Sequence, residues 1–495
     1  MKLSAIALLP FASALVIPSF DSTLLQNVFS LVDETPSDYE KLPLVETEQL
    51  QELITLDQLN TSAQHLYKLA SSSVGQYDHP TRVIGSPGHW KTIGWIIDTL
   101  KDLKDYYTFE TQEFKALDGK IFNYSLTINS VDAPVKPFQL TPPAHVYGAN
   151  LFIAGENGCD LLNYAGIGFN SIALVKRGVC PFGNKSSTAG TAGAKAVIIY
   201  EEGVEDILSG TLGEPLESTV GTVGVPYSVA SKLIDSKNST LPVRINLVID
   251  SYVGYIKTKN VIAETIHGDH DNVVSLGAHS DSVAAGPGIN DDGSGTISLL
   301  TVAKQLTNFK VNNAVRFAWW AAEEEGLLGS NFYANSLTPE ENSKLRLFMD
   351  YDMMASPNYE YQVYNGSNAV NPKGSEEIKD LYIDYYESKG LNWTLIPFDG
   401  RSDYVGFIEN GIPGGGVAAG AEGKNSENGE VLDKCYHLLC DDLTNIAWDA
   451  FLVNTQLIAH SVATYGRSLE GFPLREMGVK SFNNDFAYRG DFLLY

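Results

Sequence analysis

Residues 273–300 read VVSLGAHSDSVAAGPGINDDGSGTISLL, and this stretch decides the fold. It opens on an apolar run, Val273 to Ala278, of the length of a buried strand. It then turns through a loop rich in Gly and Asp and continues from Gly295 to Leu306 as a helix. The order recurs downstream with a strand from Ala314 to Trp320, a helix after Gly326 and a strand from Leu345 to Tyr351. Strand alternating with helix predicts an α/β fold: a three-layer α/β/α sandwich around a mixed, mostly parallel sheet.

Three of these strands end in side chains that bind metals. His279 and Asp281 follow the first, Glu323 and Glu324 the second, and Asp352 the third. Open α/β sheets bind ligands beyond the carboxyl ends of their strands, so the topology brings these residues to one edge. The loop with Asp291 and Asp292 opens the helix beside that edge, and His437, between Cys435 and Cys440, offers a second imidazole. One such residue alone is more often structural, but their fall at successive strand ends reverses the odds. Two imidazoles with several carboxylates suit zinc, and a carboxylate able to bridge predicts two ions.

Outward from this core, His79 to Leu103 reads as a Gly/Pro turn entering an amphipathic helix, followed by a strand Tyr107 to Phe114. Between Val135 and Ile256 the texture changes to short β-rich runs such as Ile172 to Val175 and Ala196 to Tyr200, which marks an inserted domain. The expected organisation is therefore a leader at 1–14, a prosegment or N-terminal extension at 15–61, a catalytic domain at 62–134 and 257–466, the insert at 135–256, and a C-terminal extension at 467–495. An amphipathic stretch near Glu46 to Leu59 lies in the N-terminal extension.

The chain of 495 residues has 34 basic and 60 acidic side chains, a formal charge of −26. Such a surface repels phosphate backbones and anionic headgroups, which argues against nucleic acid and lipid as partners. Met1, Lys2 and the apolar run Leu3 to Val16 have the form of a secretory leader too short to anchor in a bilayer, and no later stretch is apolar enough to span one. A secreted, extracellular protein is expected. Four cysteines fit that compartment, and their positions favour the local pairs Cys159–Cys180 and Cys435–Cys440. Sequons at Asn60, Asn123, Asn184, Asn238, Asn365 and Asn392 are candidate glycosylation sites.

His279-Ser280-Asp281-Ser282, the run Gly286 to Gly295, Ala321-Ala322-Glu323-Glu324-Glu325-Gly326 with Gly329-Ser330, and Asp352 to Asn358 occur in order at plausible spacing. Together they closely resemble the co-catalytic dinuclear zinc aminopeptidases, a group that also holds glutamate carboxypeptidases and the transferrin receptor. Within it the likeness is greatest to the secreted fungal leucine aminopeptidases. The resemblance covers about Ala63 to Gly466 apart from the insert. The insert is itself similar to a protease-associated domain through Ile172 to Gly178, Cys180, Phe182, Lys185 and Ala192 to Tyr200.

The resemblance implies one zinc held by His279, Asp291 and Asp352 and a second by Asp291, Glu324 and His437, with Glu323 as general base. It also implies that the disulfide loop presents His437, that Tyr436 turns its phenol toward the substrate carbonyl, and that Arg401 binds substrate backbone. Asp281, two residues beyond His279, has the offset of an acceptor that orients the imidazole. Glu325, where the family carries another residue, is a departure that is harmless if it faces solvent. His270, read as preceding its strand, and Asp350, read as a paired structural acid, are excluded from the site. The implied activity is removal of N-terminal, leucine-like residues from peptides with a free N-terminus. A carboxypeptidase or one-zinc glutaminyl cyclase on the same scaffold, or a non-catalytic receptor ectodomain, are the alternatives. The first lacks an arginine cluster for a terminal carboxylate, and the last contrasts with a complete ligand set.

Overall fold

The computed structural model describes residues 38–476 except 214, 239–241, 368–370 and 399. The expected leader and parts of both flanking extensions lie outside the described residues. A short turn of helix, Asp38–Lys41, belongs to an N-terminal unit that ends at Leu42, and the described residues from Pro43 onward form a second unit. The amphipathic stretch expected near Glu46 divides at Thr55 into helices Thr47–Glu52 and Leu56–Ala70. Thr55 and Gln58 cap the second helix reciprocally, which ends the first by giving the chain a new start.

The catalytic sheet contains β1 (Tyr107–Ile128), β2 (Arg244–Thr265), β3 (Asp269–His279), β4 (Asn313–Trp320), β5 (Leu345–Tyr351), β6 (Tyr361–Tyr364), β7 (Trp393–Ile396) and β8 (Gly414–Ala418). Their spatial order is β7-β6-β8-β5-β3-β4-β2, with β1 paired to β2. The central strands β8, β5, β3 and β4 run parallel, and β2 and β6 run antiparallel to their neighbours in this group. β3 to β5 match the expected strands, and every residue of β5 is buried, as a strand covered on both faces must be. Helix α1 (Gly293–Leu306) packs across β3, and Asp292 caps it by accepting from the Gly295 N–H at 2.9 Å. Under the other face, Trp320, Phe348 and Phe407 form an aromatic cluster in which the last two rings stack at 3.7 Å.

β1 and β2 pair from Tyr107↔Thr265 to Ile128↔Ile245 with one register shift between Ile121 and Asn123, a ribbon that serves both domains. One end joins β4, and the other joins the strand Ala144–Ile153 of the insert. The boundary expected at 256/257 therefore falls within β2 rather than in a linker, and β1 runs well past Phe114. The insert continues as parallel strands Ser171–Lys176, Ala196–Tyr200 and Gly221–Gly224 with apolar clusters of its own. Both expected disulfides are formed, Cys159–Cys180 and Cys435–Cys440, and no cysteine is free.

Among the sequons, Asn60, Asn123, Asn184 and Asn392 are exposed. Asn365 is half-buried and accepts from the Ser367 N–H at 3.1 Å, and Asn238 closes a short turn of helix, Ser236–Asn238.

Candidate metal centre

β3, β4 and β5 deliver His279, the Glu323–Glu324 pair and Asp352 to one sheet edge, and the loop before α1 adds Asp291. The disulfide loop brings in His437 from a distant part of the chain. His279, Asp291 and Asp352 have ligand atoms within 4.8 Å of one another, and so do Asp291, Glu324 and His437. Asp291 belongs to both sets. Its Oδ1 lies 3.3 Å from His279 Nε2 and its Oδ2 lies 3.1 Å from His437 Nε2.

The other carboxylates each keep one oxygen tied to the chain and turn the second toward the cluster. Glu324 Oε1 accepts from the Val283 N–H at 2.9 Å while its Oε2 lies 3.1 Å from His437 Nε2. Asp352 Oδ2 accepts from Ser402 Oγ at 3.0 Å, and its Oδ1 lies 3.7 Å from His279 Nε2. Both ring nitrogens of His279 and the Asp352 Oδ1 are buried without a hydrogen bond. Buried polar atoms are normally paired, so orphaned donor atoms converging between carboxylates fit a bound cation. Two imidazoles and three carboxylates without a thiolate are the donor set of a hydrolytic zinc site.

Glu323 belongs to neither set. It is 8% exposed, and its Oε2 stands 3.9 Å from His279 Nε2. Burial pushes its carboxyl well above the usual range; His279 opposes this, and the charges of Asp403, Glu324 and Asp352 reinforce it. Asp281 is fully buried with Oδ1 3.8 Å from His279 Nδ1, too far for a hydrogen bond. Its carboxylate instead accepts the Glu323 and Glu324 N–H groups at 3.3 and 3.4 Å, so it positions the glutamate pair more directly than the imidazole.

The condition set for Glu325 is not met, and two further expectations are corrected. Glu325 is partly buried, and its Oε2 is closed off without a partner, because the backbone turns back at Glu323 and the Gly326 and Leu327 N–H groups donate to the Glu323 carbonyl. Asp350 has no basic partner among the described residues; it accepts from the Tyr404 N–H at 3.2 Å, and burial, then the charges of Asp403 and Asp352, raise its pKa. His270 lies within β3 rather than before it, at the far end, held 2.6 Å from Glu264.

The structure adds contacts that the motifs did not show. Asp292 Oδ2 accepts from the His279 N–H at 3.0 Å, and its Oδ1 accepts from Met353 N at 3.1 Å, joining β3, α1 and the Asp352 loop. Asp441, just past Cys440, accepts the Asn290 and Asp291 N–H groups at 3.0 Å each and so holds the bridging residue. Arg82, fully buried, donates to the carbonyls of Ser280, Pro287 and Gly288 and stitches the His279 and Asp291 loops together. Tyr436 stacks on His437 at 3.8 Å between centroids, and Arg401 Nη2 donates to its hydroxyl at 3.1 Å. Arg401 also forks onto Glu422 at 2.8 and 3.0 Å.

Residues 260–462 match the model of peptidase family M28, and residues 145–233 match that of the PA domain. Aminopeptidase Y of Saccharomyces cerevisiae is 57% identical over 469 residues, which cover 91% of this chain and 87% of that protein. The chain belongs to peptidase family M28. Leucine aminopeptidase 2 of Trichophyton equinum, 41% identical over 482 residues, covers 94% of this chain and is itself covered to 95%. The solved aminopeptidase from Aneurinibacillus sp. strain AM-1 superimposes with a TM-score of 0.72 at 25% identity, covering 87% of this chain and 98% of that one. The M28 relatives thus span both the catalytic domain and the insert.

Proposed function

We propose that this aminopeptidase removes apolar, leucine-like residues from the free N-terminus of peptides, with two zinc ions held by His279, Asp291, Asp352, Glu324 and His437. The observation that carries the reading is Asp291, whose two oxygens face two different imidazoles in two ligand sets. The leucine-type preference is supported by relatives that carry that name. When bound, the ions supply an acidified water and Lewis-acid polarisation of the scissile carbonyl. Glu323, buried beside His279, takes the proton of the attacking water and hands it to the leaving amine. Tyr436 donates its phenolic hydrogen to the carbonyl oxygen as negative charge develops there. The carboxylates lining the site complement the ammonium of a free N-terminus.

Secretion is part of the proposal. Both disulfides and four exposed sequons support passage through an oxidising, glycosylating compartment. Among the described residues no helix is long and apolar enough to cross a membrane.

The test is hydrolysis of amino-acid anilides with free and blocked amines, together with zinc counting. The expected result is cleavage of leucine anilide, no cleavage of its N-acetyl form, and two zinc ions per chain. One ion per chain would favour the cyclase arrangement. Glu323→Gln keeps shape and removes basicity, so it retains both ions while turnover falls by about 10²–10⁴-fold with KM little changed. Glu324→Gln weakens one ion instead. Metal loss in the first variant and retention in the second would reassign the base.

A further inference from the structure

We infer that Glu422 is a positioning residue for the reaction, acting through Arg401 to aim the Tyr436 hydroxyl at the substrate carbonyl; the inference rests on the role of Tyr436 proposed above. The three residues come from separate loops. Arg401 precedes a short helix, Glu422 follows β8, and Tyr436 lies inside the disulfide loop. They form a relay of fixed polarity that ends beside the ligand His437.

The polarity follows from donor chemistry. A guanidinium has N–H donors and no acceptor, so at the 3.1 Å contact between Arg401 Nη2 and the phenol it is the Tyr436 oxygen that accepts. The phenol's own hydrogen must then point away from Arg401. The Tyr436 ring lies on the His437 imidazole at 3.8 Å with 27° between planes, which keeps that hydroxyl on the same wall as the metal centre. A tyrosine whose oxygen is already engaged by a cation is a better hydrogen donor to a developing oxyanion than one left to rotate.

Glu422 fixes the cation. Both of its oxygens accept from Arg401, Oε1 from Nη1 at 2.8 Å and Oε2 from Nη2 at 3.0 Å, a fork-to-fork pair that sets the guanidinium plane. The guanidinium also lies over the Tyr436 ring, 5.9 Å from its centroid. The side chains of Glu422 and Arg401 are 58% and 31% exposed, and an ion pair so open to water adds little to folding stability. Its removal is therefore read in catalysis and not in melting.

The experiment is a double-mutant cycle on the zinc-loaded full chain with leucine anilide. Glu422→Gln keeps the shape and one acceptor but drops the charge. Its kcat should fall roughly tenfold while KM, zinc content and melting temperature stay close to wild type. In a Tyr436→Phe background the same change should have no further effect, because there is no hydroxyl left to aim. Losses that multiply in the double mutant, or an unchanged kcat in Glu422→Gln, overturn the inference. A wild type that releases nothing from leucine anilide breaks the functional reading itself, which separates the two failures.

Discussion

Arg82 and Lys185 are both bases closed off from water, one beneath the metal-site loops and the other beneath the disulfide loop of the insert. Each directs its donors at backbone carbonyls: Arg82 at Ser280, Pro287 and Gly288, and Lys185 at Asn157 and Gly178, at 2.5 and 2.6 Å. Their surroundings differ. Burial lowers the pKa of Arg82, but the charges of Asp281, Asp292, Asp441 and Asp291 oppose that. Lys185 has no such field, and burial pushes it down to about 8. One device for tying loops thus serves two purposes. In the catalytic domain the cation offsets an anionic site, whereas in the insert it braces a turn that carries no chemistry in the proposed reaction.

The largest effect that tests this contrast is expected from Arg82→Met. The change leaves buried carbonyls without donors and removes a cation from among carboxylates, a loss of about 3–5 kcal/mol on the scale of broken buried charge networks. Melting temperature and zinc retention should both fall. Lys185→Met should lower stability but leave zinc content and kcat unchanged. Equal effects on zinc in the two variants would erase the distinction between the bases.

The disulfides sharpen the comparison at a smaller magnitude. Cys159–Cys180 spans 21 positions and Cys435–Cys440 spans 5, so chain entropy assigns them about 3 and about 2 kcal/mol. The larger stabilisation belongs to the insert, yet the smaller loop carries His437 and Tyr436. Replacing Cys159 and Cys180 by alanine should cost more in denaturant midpoint and little in kcat. Replacing Cys435 and Cys440 should cost less stability and most of the activity, measured on leucine anilide with zinc in excess. The reverse ranking would mean that the loop holds its shape without the bridge.

What was legible in the sequence follows the same division. Most of the proposed ligand cluster was readable because His279, Asp291, Glu324 and Asp352 each end a strand or precede a helix within a short local motif, so the topology alone carried them to one edge. Arg82, Asp441 and Glu422 were not readable. Their partners lie on other loops, about 200 positions away for Arg82 and 150 for Asp441, and an isolated charged residue in a loop looks like solvated surface. The orientation of Glu325 stayed open for a related reason: only the backbone turn at Glu323 shows that the third acid of the run folds inward. The long ribbon of β1 and β2 escaped because Asp118 and Gly119 interrupt the strand pattern of β1, although the pairing with β2 runs through both.

The smallest effect is a dependence on pH confined to the insert. Lys185 has a folded pKa of about 8, against about 10.4 for a lysine in an unfolded chain. Between these values the unfolded state binds more protons than the folded one, so this residue makes stability rise with pH across that window. Below about 8 both states are protonated and the slope vanishes. At most the slope reaches about 1.4 kcal/mol per pH unit. Tyrosines also titrate in this range, so the quantity to measure is the difference between wild type and Lys185→Met, by urea unfolding at pH 8, 9 and 10. That difference should move in favour of wild type as pH rises. Arg82 should contribute no slope there, since a guanidinium among four carboxylates keeps its proton throughout. A wild-type-minus-variant difference that stays flat would mean that the short bonds to Asn157 and Gly178 keep Lys185 charged, and that the two buried bases are alike after all.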